Sequence, residues 1–116
     1  MTNNNYEVIF AIVNSGFAED VMEVAKSCGA RGGTILNARG VAKEEAAEFF
    51  GITIHTEKEI VMIVVPKKIK DDVLNAIYKE LGMAKKSQGI AFSLPVTDTA
   101  GLVEVEEKKA EQEAEQ

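Results

Sequence analysis

Val8-Ile9-Phe10-Ala11-Ile12-Val13-Asn14 and Ile60-Val61-Met62-Ile63-Val64-Val65-Pro66 superimpose at a shift of 52 residues, and the match continues beyond them. Gly16-Phe17-Ala18-Glu19-Asp20-Val21-Met22 falls on Lys68-Ile69-Lys70-Asp71-Asp72-Val73-Leu74. Each copy is an apolar run, a short polar break, then apolar residues at helical spacing. In the first copy the buried stripe is Phe17, Val21, Met22, Val24 and Ala25. In the second it is Ile69, Val73, Leu74, Ile77, Tyr78 and Leu81. Both stripes stop near a glycine, Gly29 and Gly82, as helix C-termini do. A basic, glycine-containing turn and a further apolar strand follow each: Arg31-Gly32-Gly33 before Thr34-Ile35-Leu36, and Lys85-Lys86-Ser87-Gln88-Gly89 before Ile90-Ala91-Phe92-Ser93-Leu94. Two βαβ units with right-handed crossovers give an α+β, ferredoxin-like βαββαβ fold, a four-stranded antiparallel sheet with two helices on one face.

Such a sheet should alternate apolar and polar residues, yet Val8 to Val13 and Ile60 to Val65 are apolar at every position. Something must cover the second face, and no further helix-sized segment remains in the core. The economical cover is another copy of the chain, so the strands predict a homo-oligomer, a trimer by analogy with known folds.

Between strand two, ending near Arg39, and strand three, starting near Lys58, an insertion spans about residues 40–57. Gly40-Val41-Ala42-Lys43-Glu44-Glu45-Ala46-Ala47-Glu48-Phe49-Phe50-Gly51 holds strong helix formers between glycines, and Ile52-Thr53-Ile54-His55-Thr56 reads as a β extension. A partly helical loop projecting from the sheet end is expected. Phe49 and Phe50 are neighbours and cannot share one helix face. One ring on the body and one outside would make a protein-docking surface, with Lys43 and Glu44 beside it; both rings folded onto the domain is the alternative.

The 116 residues carry 13 Lys plus Arg against 19 Asp plus Glu, a net charge of −6. From Glu104 onward the sequence holds six Glu and two Lys, so residues 1–103 carry only −2. The domain is therefore read as 1–103, with 104–116 an acidic, frayed or disordered tail. Acidic balance, no Trp and 6% aromatics exclude nucleic acid as a partner, because that affinity rests on clustered cations. The longest apolar run, Ile60 to Val65, is far short of the ~20 residues of a membrane span. One cysteine, Cys28, and no secretory leader in Met1-Thr2-Asn3-Asn4-Asn5 predict a cytoplasmic protein without membrane insertion.

Catalytic chemistry is sparse. His55 is the sole His and has no Cys or carboxylate at ligand spacing, so no metal site is expected. Cys28 reads as a small buried hydrophobe, and Glu44-Glu45 and Asp71-Asp72 as solvated helix faces. No nucleophile motif or Walker loop is present, and the chain is read as no enzyme. The two glycine turns instead offer backbone N–H groups beside cations, which suits a small anionic ligand such as a phosphate.

Gly29-Ala30-Arg31-Gly32-Gly33-Thr34, Ala38-Arg39-Gly40, Lys58, Ile63-Val64-Val65-Pro66 and Gly89-Ile90-Ala91-Phe92 together resemble the PII nitrogen-regulatory signal-transduction superfamily over about residues 6–96. The resemblance implies a homotrimer binding adenine nucleotides in clefts between subunits, and a long T-loop that docks on a partner, by family habit a transport system. It carries adenine contacts onto Thr34 and the main chain at Val64, with Ile12 nearby, and room for base and phosphates onto Gly32 and Gly40. Gly33 and Arg39 flank these positions, Lys58 matches a lysine at the loop's base, and Ser87, Gln88 and Gly89 correspond to the phosphate-binding turn. That turn departs from the family's Gly-Asp-Gly-Lys, since Ile90 stands where the lysine would be. The family's two C-terminal arginines fall near Gly101 and Val103, and a sensing glutamine near Glu44, so weaker triphosphate binding and no 2-oxoglutarate response are expected. Lys85, Lys86, Arg31 or Arg39 would compensate. With no Tyr or Ser from Gly40 to Thr56, signalling is by ligand alone, ADP or ATP first and AMP or a cyclic dinucleotide as outsiders.

Three other classes share the topology. RNA-recognition motifs need exposed aromatics on the central strands, which Ile60 to Val65 does not supply. CutA-like trimeric metal-tolerance proteins need more ligands than one His and one Cys. A small ferredoxin-like isomerase needs a placed acid or base, with only His55 and Glu59 available.

Overall fold

The computed structural model describes residues 5–41, 55–82 and 89–101. Its elements are β1 (Tyr6–Asn14), α1 (Ala18–Ser27), β2 (Thr34–Val41), β3 (His55–Pro66), α2 (Lys67–Glu80) and β4 (Gly89–Pro95). The strands form one antiparallel sheet in the order β2-β3-β1-β4. This is the ferredoxin-like arrangement expected from the repeat. Its two central strands are the two opening apolar runs.

Alternation along the strands assigns the faces. Ile9, Ala11 and Val13 of β1 and Val61, Ile63 and Val65 of β3 are buried, in one cluster with Ala18, Val21, Val24 and Ala25 of α1 and Val73 and Ile77 of α2. Both helices therefore cover the same face. The opposite residues, Val8, Phe10 and Ile12 with Leu36, Ile60, Met62, Val64, Ile90, Phe92 and Leu94, form an open face that is only partly screened within one chain. Leu36, Val64, Ile90, Phe92 and Leu94 are outright exposed, and the Phe10 and Phe92 rings stack at 5.4 Å.

Helix ends follow the glycines. Gly29 takes φ +108 after the Cys28 cap, and its N–H bonds the Lys26 carbonyl while that of Ala30 bonds Ala25, a Schellman closure. Gly82, at φ +65, ends α2 after Leu81. At the other end of α2, Pro66 is both the last residue of β3 and the helix cap, so strand runs into helix without a loop.

Three expectations need correction. Phe17 and Tyr78, assigned to the buried stripes, are 46% and 48% exposed: Phe17 precedes α1 as its cap, and Tyr78 stands in an open cleft beside the edge strand β4. Cys28 is only half-buried. The insertion is shorter than 40–57, since Gly40 pairs with Thr56 and Val41 with His55, extending both strands toward the loop. The rest of the insertion, including its expected helix and docking residues Lys43, Glu44, Phe49 and Phe50, lies outside the described residues, as does the tail 104–116.

Candidate functional site

Two clefts lie at opposite ends of β2. The first, of about 230 Å³, gathers Gly32, Gly33, Thr34 and Val64 with Arg31 and Met62. Thr34 begins β2 and pairs with Met62, which brings the glycine turn after α1 alongside β3. The approach is close enough to require glycine at one position. A Cβ on Gly33 would sit 2.7 Å from the Met62 carbonyl oxygen and 2.9 Å from the Met22 sulfur. Gly32, by contrast, has nothing within 4 Å, so its small size answers to no contact within the chain. Arg31 is the charged side chain of this cleft.

The second cleft, of about 450 Å³, is lined by Ser15, Asn37, Ala38, Arg39, Glu57 and Lys58. Arg39 and Lys58 thus come together as the sequence suggested, with Gly40 beside them: a Cβ there would meet the Lys58 stem at 3.1 Å. Lys58 stands on the open face and its ammonium donates to Asn14 Oδ1 at 2.5 Å. Among strand residues whose side chains are described, it is the one charged group on that face. Such a charge beside so much apolar surface invites an anion.

Gly89 does not join either cleft. It opens β4 at the far edge of the sheet, in the cross-sheet row Gly89, Val13, Glu59 and Asn37, three strand spacings or ~14 Å from β2. There it lines a third cleft with Ile90, Leu74 and Tyr78. Its φ of +129, and a Cβ position 2.5 Å from the Ile12 carbonyl oxygen, demand glycine for backbone reasons alone. Ile12 lies on the open face between Ile60 and Ile90. Ser87 and Gln88 lie outside the described residues.

Glu59, one of two faint acid candidates, has a structural task instead. Its Oε1 accepts the N–H groups of Gly16, at 2.5 Å, and Ala18, at 3.4 Å, at the start of α1. Asn14 and Glu59 are the residues that sequence reasoning missed in these roles. Both emerge only from the β1–β3 register, which pairs Asn14 with Lys58 and Val13 with Glu59. No group of three His, Cys, Asp or Glu able to hold a metal occurs among the described residues, and none of their helices is long and apolar enough to cross a membrane.

A ferredoxin-like subunit with an open apolar face, a segment inserted between β2 and β3, and glycines at both sheet edges defines the class. The model of the family "Nitrogen regulatory protein P-II" matches residues 6–106, and the chain belongs to that family of signal-transduction proteins. Among solved structures it is similar to Arabidopsis thaliana PII bound to citrate, with 25% identity over 87% of this chain and 86% of that one and a TM-score of 0.66. It is also similar in fold to the Bacillus subtilis GlnK–ATP complex, with 16% identity over 89% and 92% of the two chains and a TM-score of 0.69. No curated protein matches the chain.

Proposed function

We infer that the chain is a regulatory subunit, not an enzyme, that works as a cytoplasmic homotrimer. It binds ADP or ATP between subunits and reports adenylate energy state to a partner protein, such as a component of a membrane transporter, through the inserted loop. The observation that carries this reading is the separation of Gly89 from the glycine turn before β2. Thr34 and Val64 lie at the β2 edge and Gly89 at the β4 edge, on a sheet whose open face is apolar. A ligand seated on the Thr34 cleft then meets Gly89 of another copy more readily than that of its own, across the apolar face. The size of the first cleft agrees, because about 230 Å³ is less than the ~300–1,000 Å³ that encloses a drug-sized ligand, so one copy offers part of a site. Thr34, Val64 and Ile12 then receive the base, Gly32 and Gly33 leave it room, and Arg39, Gly40 and Lys58 meet the phosphates together with Ser87, Gln88 and Gly89 of the next subunit. ATP in the B. subtilis GlnK complex supports the ligand class. Ile90 at the position of the family's lysine favours ADP over ATP, with AMP and cyclic dinucleotides as weaker ligands.

Calorimetric titration with ATP, ADP, AMP and cyclic dinucleotides, each with and without Mg²⁺, tests the reading. Heat with ADP or ATP is expected. Absence of heat with every adenylate overturns it.

A further inference from the structure

Three consecutive residues of β3 grip the turn between β1 and α1. The Ser15 N–H bonds the Glu57 carbonyl at 3.2 Å, the Lys58 ammonium bonds Asn14 Oδ1, and Glu59 Oε1 takes the Gly16 and Ala18 amides. The turn itself is closed by the Phe17 N–H on the Asn14 carbonyl at 3.2 Å, with Gly16 at φ +100. Lys58 and Glu59 point to opposite faces of the sheet, so the turn is held from both sides. Helix α1 has no cap of its own: Phe17 occupies the cap position, and no side chain there accepts a hydrogen bond. Glu59, 41 residues from Ala18 in sequence, supplies the missing acceptor and places a negative charge at the positive end of the helix.

We propose that Glu59 is a positioning residue for the anion site: by fixing the Asn14–Phe17 turn it holds Asn14, and through Asn14 the Lys58 ammonium, at the mouth of the β2–β3 cleft. Its loss leaves the amide of the buried Ala18 without that acceptor and turns the exposed Gly16 amide to solvent, and the turn that begins at Asn14 relaxes. Asn14 then no longer sets where Lys58 points. The inference rests on the reading that Lys58 meets a nucleotide phosphate, but the geometry of Lys58 can be measured without any ligand.

The experiment uses the full chain and three forms: wild type, Glu59→Ala, and Glu59→Gln, which keeps the acceptor oxygen. Acetylation by acetic anhydride, read lysine by lysine by mass spectrometry, is expected to speed up several-fold at Lys58 in Glu59→Ala and to stay at the wild-type rate in Glu59→Gln, with exposed Lys79 of α2 unchanged in both. The ADP dissociation constant is expected to rise about tenfold in Glu59→Ala, ~1.4 kcal/mol, and to be rescued by Glu59→Gln. Should Glu59→Ala not stay folded, Glu59→Asp keeps the charge but shortens the reach by one methylene, and Lys58 again acetylates faster. A lower melting temperature with unchanged Lys58 reactivity would overturn the proposal and leave Glu59 as a helix cap alone. If wild type binds no adenylate, the functional reading fails while Lys58 reactivity still decides the role of Glu59.

Discussion

Gly32 and Gly33 are adjacent, yet they are glycines for different reasons, and substitution separates them. Gly33→Ala forces the turn away from the Met62 carbonyl and is expected to lower stability by about 1–3 kcal/mol, measured by urea denaturation. Gly32→Ala meets no atom of its own chain, so stability should stay within about 0.5 kcal/mol of wild type while ADP affinity falls. An unchanged affinity would remove Gly32 from the site. Lys58→Ala is expected to weaken ADP binding by about 1.5–3 kcal/mol, as loss of a charge-assisted contact, and to leave the oligomer intact in light scattering. Gly89→Asp is a poorer probe, because its backbone conformation and the Ile12 carbonyl would disturb β4 before any ligand is involved.

At the scale of elements, the strands and helices were readable because the 52-residue repeat states each βαβ unit twice, with period 2 replaced by helical spacing after each polar break. The ends were less readable. Phe17 fits the stripe of α1 by spacing, but the chain is not yet helical there, and hydropathy does not mark where a helix begins. Tyr78 fits the stripe of α2, but it faces the outermost strand, β4, where no further strand closes over it. Of the candidate site residues, Thr34 with Val64 and Arg39 with Lys58 were legible as neighbours, and the structure places the two pairs in separate clefts at the ends of β2. Asn14 and Glu59 were not, since a one-residue slip in the β1–β3 register would exchange their neighbours and no periodicity records that register. Deleting residues 42–54 and joining Val41 to His55 through a short turn should abolish capture of a partner protein and leave ADP affinity unchanged. Loss of ADP binding in that variant would make the loop part of the ligand site.

For the whole molecule, the two faces of the sheet should respond in different ways. Ile63 is fully buried under the helices, and Ile63→Ala is expected to cost about 2–5 kcal/mol of folding stability. Ile60 lies on the open face, opposite Ile12. Ile60→Asp should leave the subunit's secondary structure intact by circular dichroism while light scattering reports a smaller particle. A wild-type chain that is a monomer at low micromolar concentration would contradict the assembly directly.

The pairing of Val41 with His55 has a further consequence. The ladder fastens both ends of the inserted segment, so the strands on either side should tolerate a change of what lies between them. Closing a loop costs only ~0.6 kcal/mol more for each doubling of its length. The insertion is therefore expected to behave as an exchangeable cassette. A foreign peptide spliced between these two residues should be displayed once per subunit and leave the affinity for ADP unchanged.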